Sequence, residues 1–434
     1  MRTVIKGATI IPMTTEDACF VGDVVIVDDK IASIGTSVAT MDGDTVIDAR
    51  EMIAMPSLVN AHTHLSMTYF RNFRDSVSDL HDWLSEIWKL EDKLVPEDMY
   101  VASMLGLVEM VASGTTCFAD MYFFPEGTIQ AVLDVGMKAN IGLTLFGGIE
   151  SSKERVAQLL PSLRTVRDES KGAVRFDIAP HAVYTCTEET LRYAVEVATK
   201  EGCGIHIHAN ETKREVSDSI ATFGSTPIAH LDSMGCDGVK CYYAHCVHPG
   251  DGDIERLERN PVSVVHNPSS NCKLGSGIAP IASYLEHHIP VALGTDGASS
   301  NNSLDMFQEI RLAAMLASAS TGDAGKVTPF DVLRMATCEG AAALGRADEC
   351  GTLEVGKDAD LILLNTKKPH LTPLNNIYSA LVYSAKSSDV DTVFCKGRTL
   401  MEHREILFID EDQLRFQFNE SWNKIQQRTG GTPS

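Results

Sequence analysis

No uninterrupted apolar stretch in this sequence reaches the length of about 18 residues that a membrane-spanning helix requires. The N-terminal MRTVIKGATIIPM lacks a long apolar core followed by a small-residue cleavage site, so no secretory signal is expected. No two of the 11 cysteines are spaced as C-x-x-C, and an odd count cannot pair fully within one chain. Several, such as Cys117 in TTCFADM, sit inside apolar, strand-like runs. That pattern points to buried thiols in a reducing compartment and away from a cysteine-only zinc site. A cytoplasmic protein is expected. Basic residues are also scarce, with 37 Lys and Arg against 59 Asp and Glu, a formal net charge of −22. Such a surface repels phosphate backbones and anionic lipid, so nucleic-acid polymers and membranes are excluded as partners, while a homo-oligomer stays open. Low-complexity runs and fixed-period repeats are absent as well.

What is present is an ordinary globular composition, 44% hydrophobic and 22% charged, in a chain of 434 residues. That length suits one large domain with an accessory one. The first 55 residues read as short strands rich in Val and Ile, punctuated by Gly and Asp-Asp. From Pro56 the texture alternates between apolar strand-like segments and helical ones. LVNAHTH, TTCFADMYF, NIGLTLFGG, VRFDIAPH, GIHIHAN, KCYYAHC, PVSVVHNP and VALGTD make eight such strands. Between the first two lies a long helical stretch through LHDWLSEIWKLEDKL and MYVASMLGLVEMVAS. Eight alternating units predict an α/β protein built on a closed (β/α)₈ TIM barrel over residues 56–345. After about residue 345 the pattern returns to β, ending in the amphipathic DEDQLRFQFNESWNKIQQ, a surface helix packed on the body. Residues 1–55 and 346–434 then combine most simply as one small composite β domain.

In a parallel barrel, functional groups gather where strands end. Here five of the eight strand ends carry a His and one carries an Asp. In Asn60-Ala61-His62-Thr63-His64, residues i and i+2 share a face, so both imidazoles could clasp one cation. By itself that pair is equally compatible with hydrogen-bonded core histidines. His208 ends the GIHIHAN strand, and Glu211, three residues on, can bring a carboxylate over a bound metal. His206 shares the inward face but lies deeper, where a hydrogen-bonded histidine filling a barrel layer is the simpler reading than a ligand. His245 ends the next strand but one before Asp296, in GTDG, where a buried lone Asp is costly unless paired or metal-bound. Convergence of all of these on one mouth favours a metal site. Three imidazoles and a carboxylate suit a first-row cation, which lowers the pKa of water toward neutrality.

Together HTHLSMT, HANE, AHCVH, VVHNPSSNCKLGSGIAP, GTDGASSNNSLDMF and GTLEVGKDADLILL resemble the amidohydrolase superfamily, in the family's order and over almost the whole chain. More narrowly they resemble 5′-methylthioadenosine/S-adenosylhomocysteine deaminases and archaeal 5′-deoxyadenosine deaminases, which salvage by-products of S-adenosylmethionine. The resemblance implies His62, His64, His208 and Asp296 as metal ligands. Glu211 becomes a proton shuttle to the base ring and His245 the group that orients the attacking water. His181 would touch the nucleoside, Glu91 would accept hydrogen bonds from the ribose hydroxyls, and Trp83 would pack nearby or simply join helix to barrel. The implied cofactor is one divalent metal per chain, zinc or, with the same ligands, Fe²⁺. The implied reaction is hydrolytic removal of the 6-amino group from a 5′-modified adenosine, a small-molecule nucleoside.

Two departures narrow this. Binuclear relatives carry a Lys at the end of the fourth strand, whereas Ala179-Pro180-His181 stands here, so one metal is expected. Relatives that take S-adenosylhomocysteine well have two arginines after the third strand, suited to a carboxylate by forked bonding. In NIGLTLFGGIESSKERVAQLL the first such position is Phe146, and Arg155 is the candidate for the second. The rivals are an amidohydrolase acting on guanine, a pterin or a triazine, and a non-catalytic assembly protein on the same fold.

Overall fold

The computed structural model describes residues 2–73, 75 and 80–429. Five strands come first: β1 (Arg2–Ile10), β2 (Phe20–Val27), β3 (Lys30–Gly35), β4 (Thr45–Asp48) and β5 (Met52–Pro56). Eight more follow between helices. They are β6 (Leu58–Thr63), β7 (Thr115–Asp120), β8 (Lys138–Leu145), β9 (Val174–Pro180), β10 (Ile205–Ala209), β11 (Cys241–His245), β12 (Val262–His266) and β13 (Val291–Leu293). The last four are β14 (Leu361–Asn365), β15 (Val390–Cys395), β16 (Arg398–Glu402) and β17 (Glu405–Ile406).

Strands β6 to β13 form one parallel sheet in sequence order, as eight alternating units require. The seam between β13 and β6 is closed just past the strand ends. Asp296 N–H donates to His62 O at 3.0 Å, and Asn60 and Thr295 exchange two hydrogen bonds. Gly294 permits this approach, because a Cβ there would lie 2.8 Å from His62 O and 2.5 Å from Asn267 Oδ1. Inside, Val59, Ala61, Cys117, Ala119, Tyr242, Val265 and Ala292 form an apolar plug that also takes in Ala341, Leu344 and Cys350. The wholly buried Arg346 donates to the carbonyls of Ala139, Gly172 and Ala173, where β8 and β9 begin. The N-terminal end of the barrel is therefore sealed by packing, and only the opposite end is open to chemistry.

The two ends of the chain share a nine-stranded sheet, ordered β17-β16-β15-β14-β5-β1-β2-β3 with β4 beside β1. Its junction is the antiparallel β14–β5 pair, from Leu361 opposite Pro56 to Asn365 opposite Met52. Asp358 and Asp360 fasten this sheet to the barrel. They hold the buried Lys138 of β8 at 2.5 and 2.6 Å, and Asp358 also takes Lys30. A buried ammonium is tolerated only with such pairing. The KDAD segment of the sequence thus has a structural task.

The long helical stretch after β6 is two helices, Leu80–Glu91 and Pro96–Ala112. Pro96 divides them, since proline fits the first turn of a helix but not its interior. The first of the pair leans over the open end of the barrel. The terminal helix Glu411–Arg428 braces that corner: Phe418 stacks on Tyr69 at 4.6 Å, and Arg428 pairs with Asp98 at 2.6 Å. No helix among the described residues is long and apolar enough to cross a membrane.

Candidate metal centre and nucleoside pocket

The strand ends deliver the expected side chains to one place. In β6 the pairing register shifts between Asn60 and Thr63. This irregularity lies where the strand passes from Val59 and Ala61, in the apolar plug, to His62 and His64, in the site. His62, His208, His245 and Asp296 each offer a ligand atom within 4.8 Å of the others. His64 joins them, its Nε2 3.2 Å from Asp296 Oδ1 and 3.3 Å from His208 Nε2. His62 Nε2 lies 3.3 Å from the same Asp296 oxygen. Asn210, His245, Cys246 and Asp296 all have positive φ, an uncommon backbone for residues other than glycine that clusters at functional sites.

The hydrogen bonds behind these rings decide which nitrogen faces inward. His64 Nδ1–H donates to Met121 O, and His208 Nδ1–H to His181 O at 2.8 Å. Carbonyls only accept, so in the neutral rings both facing Nε2 atoms carry lone pairs. Two lone pairs 3.3 Å apart repel unless a cation or a proton lies between them. The His245 ring is oriented the same way by Asn271 Oδ1 at 2.7 Å. His62 Nε2 is buried and has no hydrogen-bond partner among the described residues. Asp296 Oδ2 accepts from Ser270 at 2.6 Å and Ser300 at 2.8 Å, fixing its carboxylate in place.

The ionisation of the cluster agrees. Burial pulls His62 down to about 4. At His64 burial pulls the same way, but the Asp296 carboxylate beside it pushes the imidazole up to about 9. Burial works against the Asp296 charge, yet His62 and His64 hold that carboxyl well below the usual range. Asp296 thus demands positive charge where it meets the two imidazoles, and a divalent cation satisfies that demand as a proton does. The donor set fits such a cation.

Above the cluster is a pocket whose walls include His64, His208, His245, Asp296, Glu211, His181 and Glu91. His62 lies beneath it. Glu211 is buried; that burial raises its carboxyl pKa, and His245 Nε2 lies 3.9 Å away. His181 stacks on Phe146 at 4.8 Å, and burial lowers it to about 3, so the ring is neutral. Glu91, at the end of its helix, accepts from Tyr122 Oη at 2.7 Å, and burial raises it to about 7. Trp83 lines the same pocket, together with Leu80, Leu84, Ile87 and Trp88 of that helix. Arg155 does not line it: Nε donates to Thr144 O at 2.6 Å, from behind the wall.

Several neighbours were not foreseen from sequence. Tyr122 holds Glu91, and Ser270 and Ser300 hold Asp296. Glu215 accepts the Glu211 N–H at 2.6 Å, and burial followed by the Glu211 charge raises its own carboxyl to about 8. The Ser-Ser-Asn runs after β12 and β13 were a usable signal for the serines; Tyr122 had none.

The sequence profile of the amidohydrolase family matches residues 53–400. The chain belongs to the amidohydrolase family. It is also similar to individual members. A 5-methylthioadenosine/S-adenosylhomocysteine deaminase of Caldanaerobacter subterraneus subsp. tengcongensis is 42% identical over 420 residues, covering 96% of this chain and 97% of that one. A 5′-deoxyadenosine deaminase of Methanothermobacter thermautotrophicus is 41% identical over 394 residues, covering 90% and 91%. Among crystal structures, an adenosine deaminase from Xanthomonas campestris with bound zinc superposes with a TM-score of 0.92 at 31% identity, covering 98% of both chains.

Proposed function

We propose that this protein hydrolyses the 6-amino group of 5′-modified adenosines, 5′-deoxyadenosine and 5′-methylthioadenosine first among them, giving the matching inosine nucleosides and ammonia. One observation carries the reading: Glu91, which accepts a hydroxyl from Tyr122, lines the same pocket as the His/Asp cluster. A free base has no use for such an acceptor. The names of the relatives at about 41% identity point the same way.

His62, His64, His208 and Asp296 would hold one divalent cation, zinc or Fe²⁺, with His245 within reach of it. When bound, the cation supplies acidity to water and so a nucleophile near neutral pH. The chain's own groups do the rest. His181 and Phe146 hold the nucleoside, and Glu91 accepts its ribose hydroxyls. Glu211, whose protonated form burial favours, gives its proton to N1 and makes C6 electrophilic. His245 orients the attacking water. Asp296 takes one proton from that water and passes it to the exocyclic nitrogen as the C6–O bond forms and the C6–N bond breaks. The second water proton returns to Glu211, which balances the cycle. A reducing compartment, the cytoplasm, suits the eleven free cysteines.

Ultraviolet absorbance distinguishes the rivals. The adenine-to-hypoxanthine change should appear with 5′-deoxyadenosine and methylthioadenosine. Faster consumption of guanine, a pterin or a triazine would overturn the nucleoside reading, and no turnover of any of them would favour a non-catalytic protein.

A further inference from the structure

We propose that His206 is a positioning residue that fixes the tautomer of His62 and thereby sets the affinity of the site for its cation. This rests on reading the His/Asp cluster as a cation site. His206 is fully buried, does not line the pocket and cannot touch substrate. Its Nε2 lies 2.7 Å from His62 Nδ1, with the two rings at 86°. A hydrogen bond between two ring nitrogens needs one donor and one acceptor. If His62 Nδ1 carries the proton, His62 Nε2 is left with its lone pair toward Asp296, as a ligand must be. If His206 Nε2 carries it, a neutral His62 must place its own proton on Nε2, in the cation's position.

The other histidines of the cluster lean on oxygen acceptors: Met121 O, His181 O and Asn271 Oδ1. The two carbonyls fix the tautomers of His64 and His208, and for His245 Nδ1 the Asn271 oxygen at 2.7 Å is a nearer partner than Asn267 Nδ2 at 3.5 Å. His62 alone leans on a second imidazole, which can act in either sense, so the orientation of His206 matters. His206 pairs in register with Tyr242, and its ring lies 4.3 Å from the Tyr242 ring. Tyr242 in turn donates to Asp177 Oδ2 at 2.8 Å. The remaining nitrogen, His206 Nδ1, is buried with no hydrogen-bond partner among the described residues. With Nε2 accepting from His62, Nδ1 carries the ring's proton and lacks an acceptor, a local cost that the proposal sets against the contact with His62.

The test compares wild type, His206→Gln and His206→Leu in zinc binding, measured by competition with a chromophoric chelator. The glutamine oxygen can replace Nε2 as acceptor, whereas leucine offers none. His206→Leu should bind zinc roughly 10–100-fold more weakly, the usual effect of losing such a partner, and His206→Gln should stay close to wild type. The melting temperature of zinc-free protein should be alike in the two variants, while the rise on adding zinc shrinks only in His206→Leu. Equal zinc affinity in all three proteins, or equal loss in both variants, would overturn the proposal. If His206→Leu does not fold, ¹⁵N-histidine NMR of the zinc-free wild type decides, since a proton already on His62 Nδ1 before the metal arrives supports the assignment and a proton on Nε2 refutes it. Failure of wild type itself to bind zinc or Fe²⁺ would instead sink the cation site.

Discussion

The floor of the pocket and its helical wall are built on different principles. On the floor, every imidazole is set by a specific hydrogen bond behind it, and Asp296 by two serine hydroxyls. The wall from the Leu80–Glu91 helix is set by shape. Leu80, Trp83, Leu84, Ile87 and Trp88 line it, and Trp83 Nε1 is buried without a hydrogen-bond partner among the described residues. Glu91 is its one acidic group. A floor of this kind cannot be altered without losing the chemistry. A wall of this kind can be remodelled to admit other substrates, because dispersion and burial are tolerant of exchange where hydrogen bonds are not.

Breaking the floor should therefore produce the largest effects. Thorough chelation should abolish turnover, and one equivalent of zinc or Fe²⁺ should restore it. Two equivalents of metal in the purified protein, or activity surviving chelation, would contradict the site as described. Next comes Glu211→Gln, which keeps the shape but has no proton for N1. It should retain the metal and lose about 10²–10⁴-fold in kcat, the usual contribution of a general acid–base group. A near-normal kcat would mean that the proton comes from elsewhere. The sign of the pH effect follows from the raised pKa of Glu211. Its useful form is the protonated one, so kcat should fall as pH rises through its folded value.

The same contrast explains what could be read in advance. His62, His64, His208, His245 and Asp296 were legible because strand periodicity and barrel topology place strand-end residues in one mouth whatever the loops do. His181 was legible as a strand-end residue but took its role from resemblance, and Glu91 came only through resemblance, since a helix-end glutamate carries no periodic signal. His206 could be placed on the inward face, but nothing in the sequence told its layer-filling role from a contact with His62. The apolar wall and the contact of Tyr122 with Glu91 were not legible, because both depend on how the Leu80–Glu91 helix leans across the barrel end, and the contact of Glu215 with the Glu211 N–H depends on the turn that opens the Lys213–Phe223 helix. The Leu80–Glu91 helix has an ordinary amphipathic pattern that does not say which surface it meets. The division at Pro96 follows from proline chemistry and corrects the single long helical stretch to two helices.

Glu91 tests the wall against the floor at intermediate size. Hydrogen bonds to a charged acceptor are worth roughly 1.5–3 kcal/mol, so Glu91→Ala should cost about 10–150-fold in kcat/KM on a nucleoside and leave metal content unchanged. A loss no larger for adenosine than for adenine or guanine would remove the ribose from the argument. The acceptor works best ionised, and burial sets its pKa at about 7. On nucleosides kcat/KM should then rise with pH along an acid limb at or below about 7, since a cation on the floor draws it lower. Glu91→Gln should flatten that limb, and an unchanged profile would assign it to another group.

The smallest expected effect concerns the 5′ substituent, where the wall discriminates without hydrogen bonds. Phe146 stands in a stack, 5.5 Å from the Phe123 ring and 4.8 Å from that of His181. No Lys or Arg is among the described residues that line the pocket. Arg155 is turned to the Thr144 carbonyl and does not line the pocket, so its charge is poorly placed for a substrate carboxylate. Even a contact at the rim would add little, as exposed ion pairs contribute about 0–1 kcal/mol. A buried apolar 5′ group gains roughly 0.8 kcal/mol per CH₂ against the same surface. Methylthioadenosine and 5′-deoxyadenosine should therefore be used at least as well as S-adenosylhomocysteine, and adenosine, with a 5′-hydroxyl against aromatic rings, somewhat less well. Parallel kcat/KM measurements decide it. A value for S-adenosylhomocysteine tenfold above both small substrates would require a cation at the mouth, and Arg155→Ala would then show whether that cation is Arg155.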